Sequence, residues 1–227
     1  MDYRIISIGT LAAHPLWNER VDVRTGHATT TLITVGDAHI LVDPSLPPQV
    51  MLARLAERTP IRPEEITHVF LTSFEPERRR SLSAFEQATW FLHEPEMEGA
   101  ATALRHRLEE AEEEGDARLE QFFNDQLALL GRCAAAPDSL APGVDLFPLP
   151  GVTPGSCGLL LPLPRMTVLI CGDAVATIEH LEQGKVLPTC VDVEQAQESF
   201  REAVEIADVL VLGRGEAALN PLRRRMS

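Results

Sequence analysis

The fifteen residues Ile66–Arg80, ITHVFLTSFEPERRR, decide how the rest of the chain is read. Ile66–Leu71 is a short, mostly apolar run that halts at Thr72-Ser73 and passes into charges. A run of that length feeding a polar turn predicts a buried strand with functional groups at its C-terminal end. The flanks of this strand then set the architecture.

Upstream, Ile5–Ile8 predicts a first strand ending at Gly9, and Leu11–His27 reads as a loop of turn formers and polar residues. Thr29–Val35 and His39–Val42 flank Gly36-Asp37, a hairpin signal between β-branched strands. Asp43-Pro44-Ser45 stops the second of them. Pro47–Arg58 then carries Val50, Leu52 and Leu55 at helical spacing. Downstream, Thr89–Leu92 predicts a strand ending at His93. Two helices follow, Glu96–Glu114 and Ala117–Cys133, broken at Gly115-Asp116. The second gathers Leu119, Phe122, Phe123, Leu127 and Leu130 on one side, and that face requires a cover. The cover is either the same domain or, for a dimer face or a lid, something beyond it. Val144–Phe147, Gly158–Leu161, Met166–Cys171 and Asp208–Leu212 read as further strands. Asp192–Ile206 reads as an amphipathic helix capped by Asp192, with Phe200, Val204 and Ile206 facing inward. The basic tail Arg223–Arg225 reads as a solvated end. Strands first, then alternating strands and helices, suit a layered mixed architecture.

With 227 residues, the chain can bury a sizeable core as one domain, residues 1–227, with the helices of 96–133 inserted into it. Twenty basic against thirty-four acidic residues give a net charge of −14, which argues against nucleic acid and anionic membranes as partners. The N-terminus MDYRIISIG lacks the basic-then-apolar pattern of a signal peptide, and no stretch approaches the roughly 18 apolar residues of a membrane span. Cys133, Cys157, Cys171 and Cys190 form no CxxC pair and read as buried free thiols in a reducing, cytoplasmic setting.

Five strand ends, taken together, resemble the metallo-β-lactamase superfamily over nearly the whole chain. LVDPS at Leu41–Ser45 is similar to the family's L-V-D-x-G turn, GVTPGS at Gly151–Ser156 to G-H-T-P-G-S, and GRG at Gly213–Gly215 to G-H-G. GDA at Gly172–Ala174 matches the family's bridging-aspartate motif. Where the family has H-x-H-x-D-H, this chain has Ser73, Phe74, Glu75, Pro76, Glu77 and Arg78. The resemblance implies an α+β, four-layer αββα sandwich with an inserted helical hairpin, and a pocket at Ser73, Glu75, Glu77, Arg78, Val152, Asp173 and Arg214. Asp43, Thr72, His93 and His180 would support that pocket.

Every ligand imidazole of the resembled dinuclear centre is missing. Zinc prefers imidazole and thiolate, and a guanidinium stays protonated and cannot ligate. No metal is therefore expected. Arg78 and Arg214 would stand where the cations sat, paired with Glu75, Glu77 and Asp173. The alternative keeps one divalent metal, an oxygen-bound Mg²⁺, Mn²⁺ or Ca²⁺ or a lone zinc, on Glu75, Glu77, Asp173 and the Ser73 hydroxyl. Ser73 and Ser156 lie at the mouth without an activating histidine. His68 reads as a satisfied strand residue, and His93 and His180 as rim residues. The expected function is that of a non-catalytic pseudo-enzyme, binding a small polar or anionic ligand through its arginines or serving as a scaffold, with a homodimer possible through 96–133. The alternative is a hydrolase of ester, thioester or lactone-like substrates with a non-standard metal site or none.

Overall fold

The computed structural model describes residues 1–221, so the basic tail at Arg223–Arg225 lies outside the described residues. Two six-stranded sheets form the centre of the molecule. The first runs β1 (Asp2–Ser7), β2 (Thr30–Val35), β3 (Ala38–Val42), β4 (His68–Leu71), β5 (Thr89–Leu92) and β6 (Ala134–Ala135), in that spatial order. The second contains β7 (Ser139–Ala141), β8 (Val144–Pro148), β9 (Cys157–Leu163), β10 (Met166–Ile170), β11 (Val209–Val211) and β12 (Ala217–Leu219), in the same order from one edge to the other. β3, β4, β5 and β6 pair in parallel, as do β10 and β11; the other ladders are antiparallel.

Alternation along the strands sorts side chains into layers, because successive residues point to opposite faces. Ile40, Val42 and Phe70 turn toward Val168, Ile170, Val209 and Val211 of the facing sheet and close the inter-sheet core. Their neighbours Leu41, Val69 and Leu71 turn the other way, onto Met51 and Leu55 of α1 (Pro48–Arg58), Phe85, and Leu130 of α3 (Ala117–Leu130). Leu169 and Leu210 face outward from the second sheet onto Leu181 of α4 (Ile178–Gln183) and Phe200, Ala203 and Val204 of α5 (Val193–Ile206). Both faces of both sheets are therefore covered, and their central strands read as nearly unbroken apolar runs. The result is a four-layer αββα sandwich. Phe70 is fully buried in it, a burial that contributes about 2–3 kcal/mol.

The helix boundaries follow local chemistry. Asp116 accepts hydrogen bonds from the Arg118 and Leu119 amides to start α3, and Asp192 caps α5 through the Gln195 amide at 2.9 Å. α2 (Glu94–Glu114) ends at Gly115 in the left-handed conformation, φ +68°. β5 and β6 are sheet neighbours, and the chain between them forms the antiparallel pair α2 and α3. Among the described residues no helix is long and apolar enough to cross a membrane.

Several expectations need correcting. α1 buries Met51 and Leu55, one face i to i+4, and leaves Val50 exposed. Ile206 is exposed at the C-terminal end of α5. The apolar side of α3 is only partly covered: Leu130 is buried, but Leu119 is 40% and Phe122 49% exposed. Cys190 is half-buried, unlike the other three cysteines. β6, β7 and β12 are too short, at two or three residues, to leave a periodic signal.

Candidate functional site

Parallel pairing brings the C-terminal ends of β3 and β4 to one edge of the first sheet, and those of β10 and β11 to one edge of the second. Such edges are where open α/β sheets place ligands. The amide of Cys157 donates to the Thr72 carbonyl at 2.9 Å and the amide of Thr29 to the Gly213 carbonyl at 2.8 Å, locking the two edges together. Asp43 takes a left-handed backbone, φ +49°, right after β3. That turn aims its carboxylate at β4, where it accepts from the Thr72 amide (2.9 Å) and the Thr72 hydroxyl (2.7 Å). Asp173 is set by Gly172, φ +53°, and by the bare backbone of Gly213.

The buried centre of this edge is a charge network. Arg78 Nη1 donates to Asp43 Oδ2 at 2.7 Å, and its Nη2 lies 2.6 Å from Asp173 Oδ2. Its Nε lies within ion-pair range of Glu75, 3.5 Å, without a hydrogen bond. Arg214 meets Asp173 side-on: Nε is 3.0 Å from Oδ1 and Nη2 2.9 Å from Oδ2. Arg214 Nη1 also donates to Glu77. Arg78 is 1% and Arg214 7% exposed, so two guanidiniums and two aspartates form a desolvated, formally neutral set. Burial pushes the Asp173 carboxyl up, but Arg214 and Arg78 outweigh it and hold the group well below the usual carboxylate range. Burial likewise works against both guanidiniums, yet Asp173 and its fellow carboxylates raise them above the ordinary arginine value. Burial pushes Asp43 up against the pull of Arg78 and the two Thr72 hydrogen bonds.

Glu75 and Glu77 stand at the mouth of a cleft of about 450 Å³, with Val152, Asp173 and Arg214 on its walls and floor and the Leu11–Pro15 segment opposite. Glu19 and Asp22 line it too, so its rim is acidic. Ser73 is buried and donates to Glu75 at 3.1 Å, and Ser156 is buried and donates to the Leu149 carbonyl at 2.6 Å. The expected position of both serines at the mouth is thus corrected: each hydroxyl is used within the protein. His93 makes a 2.8 Å contact with the Gly155 carbonyl and supports the loop carrying Val152. His180 is not on the rim. It is fully buried on α4, 2.9 Å from the Thr177 hydroxyl. Arg79 lies outside the network, stacked 4.0 Å over Phe74 and bonded to Gln126, and Arg80 donates to the Gly26 carbonyl.

Two features escaped the sequence. Asp43, expected as a support, is a direct ion-pair partner of Arg78. Glu96, 3% exposed, accepts from the Phe74 amide, the Thr153 hydroxyl and the Gly155 amide, joining the β4 turn to the Gly151–Ser156 loop. Nothing distinguishes Glu96 locally from the exposed glutamates around it.

The donor set is already committed to partners other than a metal. Both Asp173 oxygens are taken by guanidinium N–H groups, Asp43 is shared between Thr72 and Arg78, and two fixed positive charges occupy the middle. Among the described residues no three His, Cys, Asp or Glu side chains converge as a metal-holding group. These residues do not fit the dinuclear centre that the resemblance implies.

Comparison with known proteins agrees with this geometry at the level of the fold. A protein from Mycobacterium tuberculosis described as a probable metallo-hydrolase is 31% identical over 127 residues, 54% of this chain and 41% of that protein. The corresponding Mycobacterium bovis protein matches equally. The chain thus spans less than half the length of these curated relatives. A solved structure from Thermotoga maritima, assigned to the metallo-beta-lactamases, superposes with TM-score 0.68 at 18% identity over 96% of this chain and 98% of that one. A variant of B. thuringiensis AiiA with N-decanoyl-L-homoserine at its active site superposes with TM-score 0.61 at 17% identity, over 90% and 88%. AidC, a dizinc quorum-quenching lactonase, gives 0.62 at 16%, over 78% and 67%. The sequence profile of the metallo-beta-lactamase superfamily matches residues 23–213, and this chain belongs to that superfamily.

Proposed function

We propose that this chain is a metallo-β-lactamase-fold pseudo-enzyme that works without the family's metals and uses its cleft to bind a small polar ligand. One observation carries the reading: Arg78 and Arg214 converge on Asp173, the one retained ligand position, and consume both of its oxygens. Without a metal-activated water, hydrolysis needs an accessible nucleophile with a base beside it, and the two serines nearest the cleft are buried, Ser73 on Glu75 and Ser156 on the Leu149 carbonyl. Both arginines are bonded to carboxylates and the rim is acidic, which favours a neutral or cationic polar ligand over an anionic one. The net charge of −14 supports a protein that avoids nucleic acid, and a cytoplasmic location suits four unpaired cysteines. The exposed Leu119 and Phe122 support self-association through α2 and α3.

A second reading, a hydrolase of ester, thioester or lactone-like substrates on a single divalent metal, is favoured by the relatives named as probable metallo-hydrolases. Elemental mass spectrometry on protein expressed with added zinc and manganese separates the two, run beside a lactone and ester hydrolysis screen. The pseudo-enzyme reading expects metal well below one equivalent and no turnover above background. A full equivalent of metal together with turnover that chelation abolishes would establish the hydrolase instead.

A further inference from the structure

A second cavity, of about 670 Å³, opens on the other side of the Leu11–Trp17 segment, against α4 and β12. It has Leu11 and Arg214 in common with the acidic cleft and otherwise uses different residues. Its size falls in the range of small-molecule sites, roughly 300–1,000 Å³. Its walls are apolar, and Ile8, Trp17, Ile178 and Leu219 are 46%, 54%, 43% and 57% exposed around it. Large apolar side chains grouped around one concavity mark a binding surface more often than an inert one.

The polar part is built by His14, Thr177 and Glu179, with His180 behind Thr177 and outside the lining. Thr177 donates its only hydroxyl proton to Glu179 Oε2 at 2.7 Å. His14 Nε2 lies 3.1 Å from the Thr177 hydroxyl and 3.2 Å from the same Glu179 oxygen. A carboxylate only accepts, so Nε2 carries the hydrogen in this network and His14 Nδ1 is left as a bare acceptor. By the same logic His180 Nδ1 donates to Thr177 at 2.9 Å, and its Nε2 is a second bare acceptor. His14 is 3% exposed and His180 fully buried, and both of these nitrogens are buried without a partner. Neither nitrogen has surface open to the cavity, so the polarity a ligand meets there is that of the Glu179 carboxylate.

The rest of the lining points to the same ligand chemistry. Glu179, Glu182 and Glu216 line the cavity, and among the described residues its one lining guanidinium, Arg214, is already bonded to Asp173 and Glu77. Arg24 lies over the Trp17 ring but is paired with Glu19. Among the described residues, the cavity thus offers acceptors and negative charge on largely apolar walls, with its nearby guanidiniums paired.

We infer that this cavity binds a small organic amine, its protonated nitrogen turned to Glu179 and Glu182 and its apolar body laid against Ile8, Trp17 and Leu219. An acyl or aryl carboxylate of the same size would face Glu179, Glu182 and Glu216 and is disfavoured by their repulsion. The inference does not depend on whether the acidic cleft holds a metal.

Isothermal titration calorimetry of the full chain with n-hexylamine, n-hexanol and hexanoate tests it near neutral pH. The expected result is one saturable site for hexylamine, at least about tenfold tighter than hexanol, a difference of about 1.4 kcal/mol, with hexanoate weaker still. Glu182→Gln, at an exposed position, should weaken hexylamine about fivefold or more with an unchanged melting temperature, and Glu179→Gln should do the same or worse. Equal affinities for hexylamine and hexanol would overturn the inference, as would no saturable binding of the amine up to about 20 mM. So would an affinity lost in Glu77→Gln but kept in both of these variants, since the amine would then sit in the other cleft.

Discussion

Arg214 and Asp173 meet edge to edge at the floor of the cleft, with Nε 3.0 Å from one carboxylate oxygen and Nη2 2.9 Å from the other. Arg78 takes up the same Asp173 from its other side at 2.6 Å, so one carboxylate holds two guanidiniums in a desolvated space. Such an arrangement is stable only while complete, because each missing partner leaves a buried charge uncompensated.

Asp173→Asn should therefore destabilise the protein by about 3–5 kcal/mol. Urea unfolding followed by circular dichroism measures this directly. Adding Arg214→Met should restore part of the loss by removing one orphaned guanidinium. A single variant as stable as the parent would mean that the network is solvated and the arginines are free to move.

Gly213 is the backbone against which this pair rests. A Cβ there would come within 2.3 Å of the Gly172 carbonyl oxygen and 2.5 Å of Asp173 Oδ1. Gly213→Ala must shift either the turn after β11 or Asp173 itself, and we expect a loss of about 2–4 kcal/mol by thermal or urea melts. Gly36, whose ideal Cβ meets nothing within 4 Å, serves as the comparison. Although it has φ +55°, Gly36→Asn should cost no more than about 1 kcal/mol, since asparagine tolerates that region.

His180 predicts a pH dependence. Burial, and after it the neighbouring His14, lower its pKa from 6.5 to about 4. Between those values the unfolded chain binds a proton that the folded chain does not, so this part of the stability is complete above pH 6.5 and is lost as the pH falls toward 4. The loss is on the order of 2 kcal/mol, and it should be smaller in His180→Gln when unfolding is compared at about pH 7 and pH 5. Parallel pH profiles for the two proteins would remove His180 from the account.

Phe122 tests the outer helices. At 49% exposure it contributes little to the fold, so Phe122→Ser should leave the melting temperature within about 2 °C of the parent. If α2 and α3 carry a homodimer, the same change should move the protein from dimer to monomer in light scattering coupled to size exclusion. A parent that is monomeric at every concentration removes the homodimer altogether.

Much of this protein was legible in its sequence because its central strands carry apolar residues on both faces. Leu41 between Ile40 and Val42, and Leu169 between Val168 and Ile170, require a cover on each side of a sheet, which leaves few architectures beyond a four-layer sandwich. The strand ends were legible for a related reason: LVDPS, GVTPGS, GDA and GRG are contiguous, and each holds its turn by local chemistry. Arg78 and Arg214 could be placed near Asp173 on that basis. What only the tertiary structure decided is how charges distant in the chain share partners. Asp43 proved to be half of a buried ion pair, Glu96 a brace with three donors, and His14 a neighbour of Thr177, 163 residues away. No periodicity encodes such pairings. They arise when desolvation leaves each buried polar group only those partners that the packed strand ends and loops bring within about 3 Å.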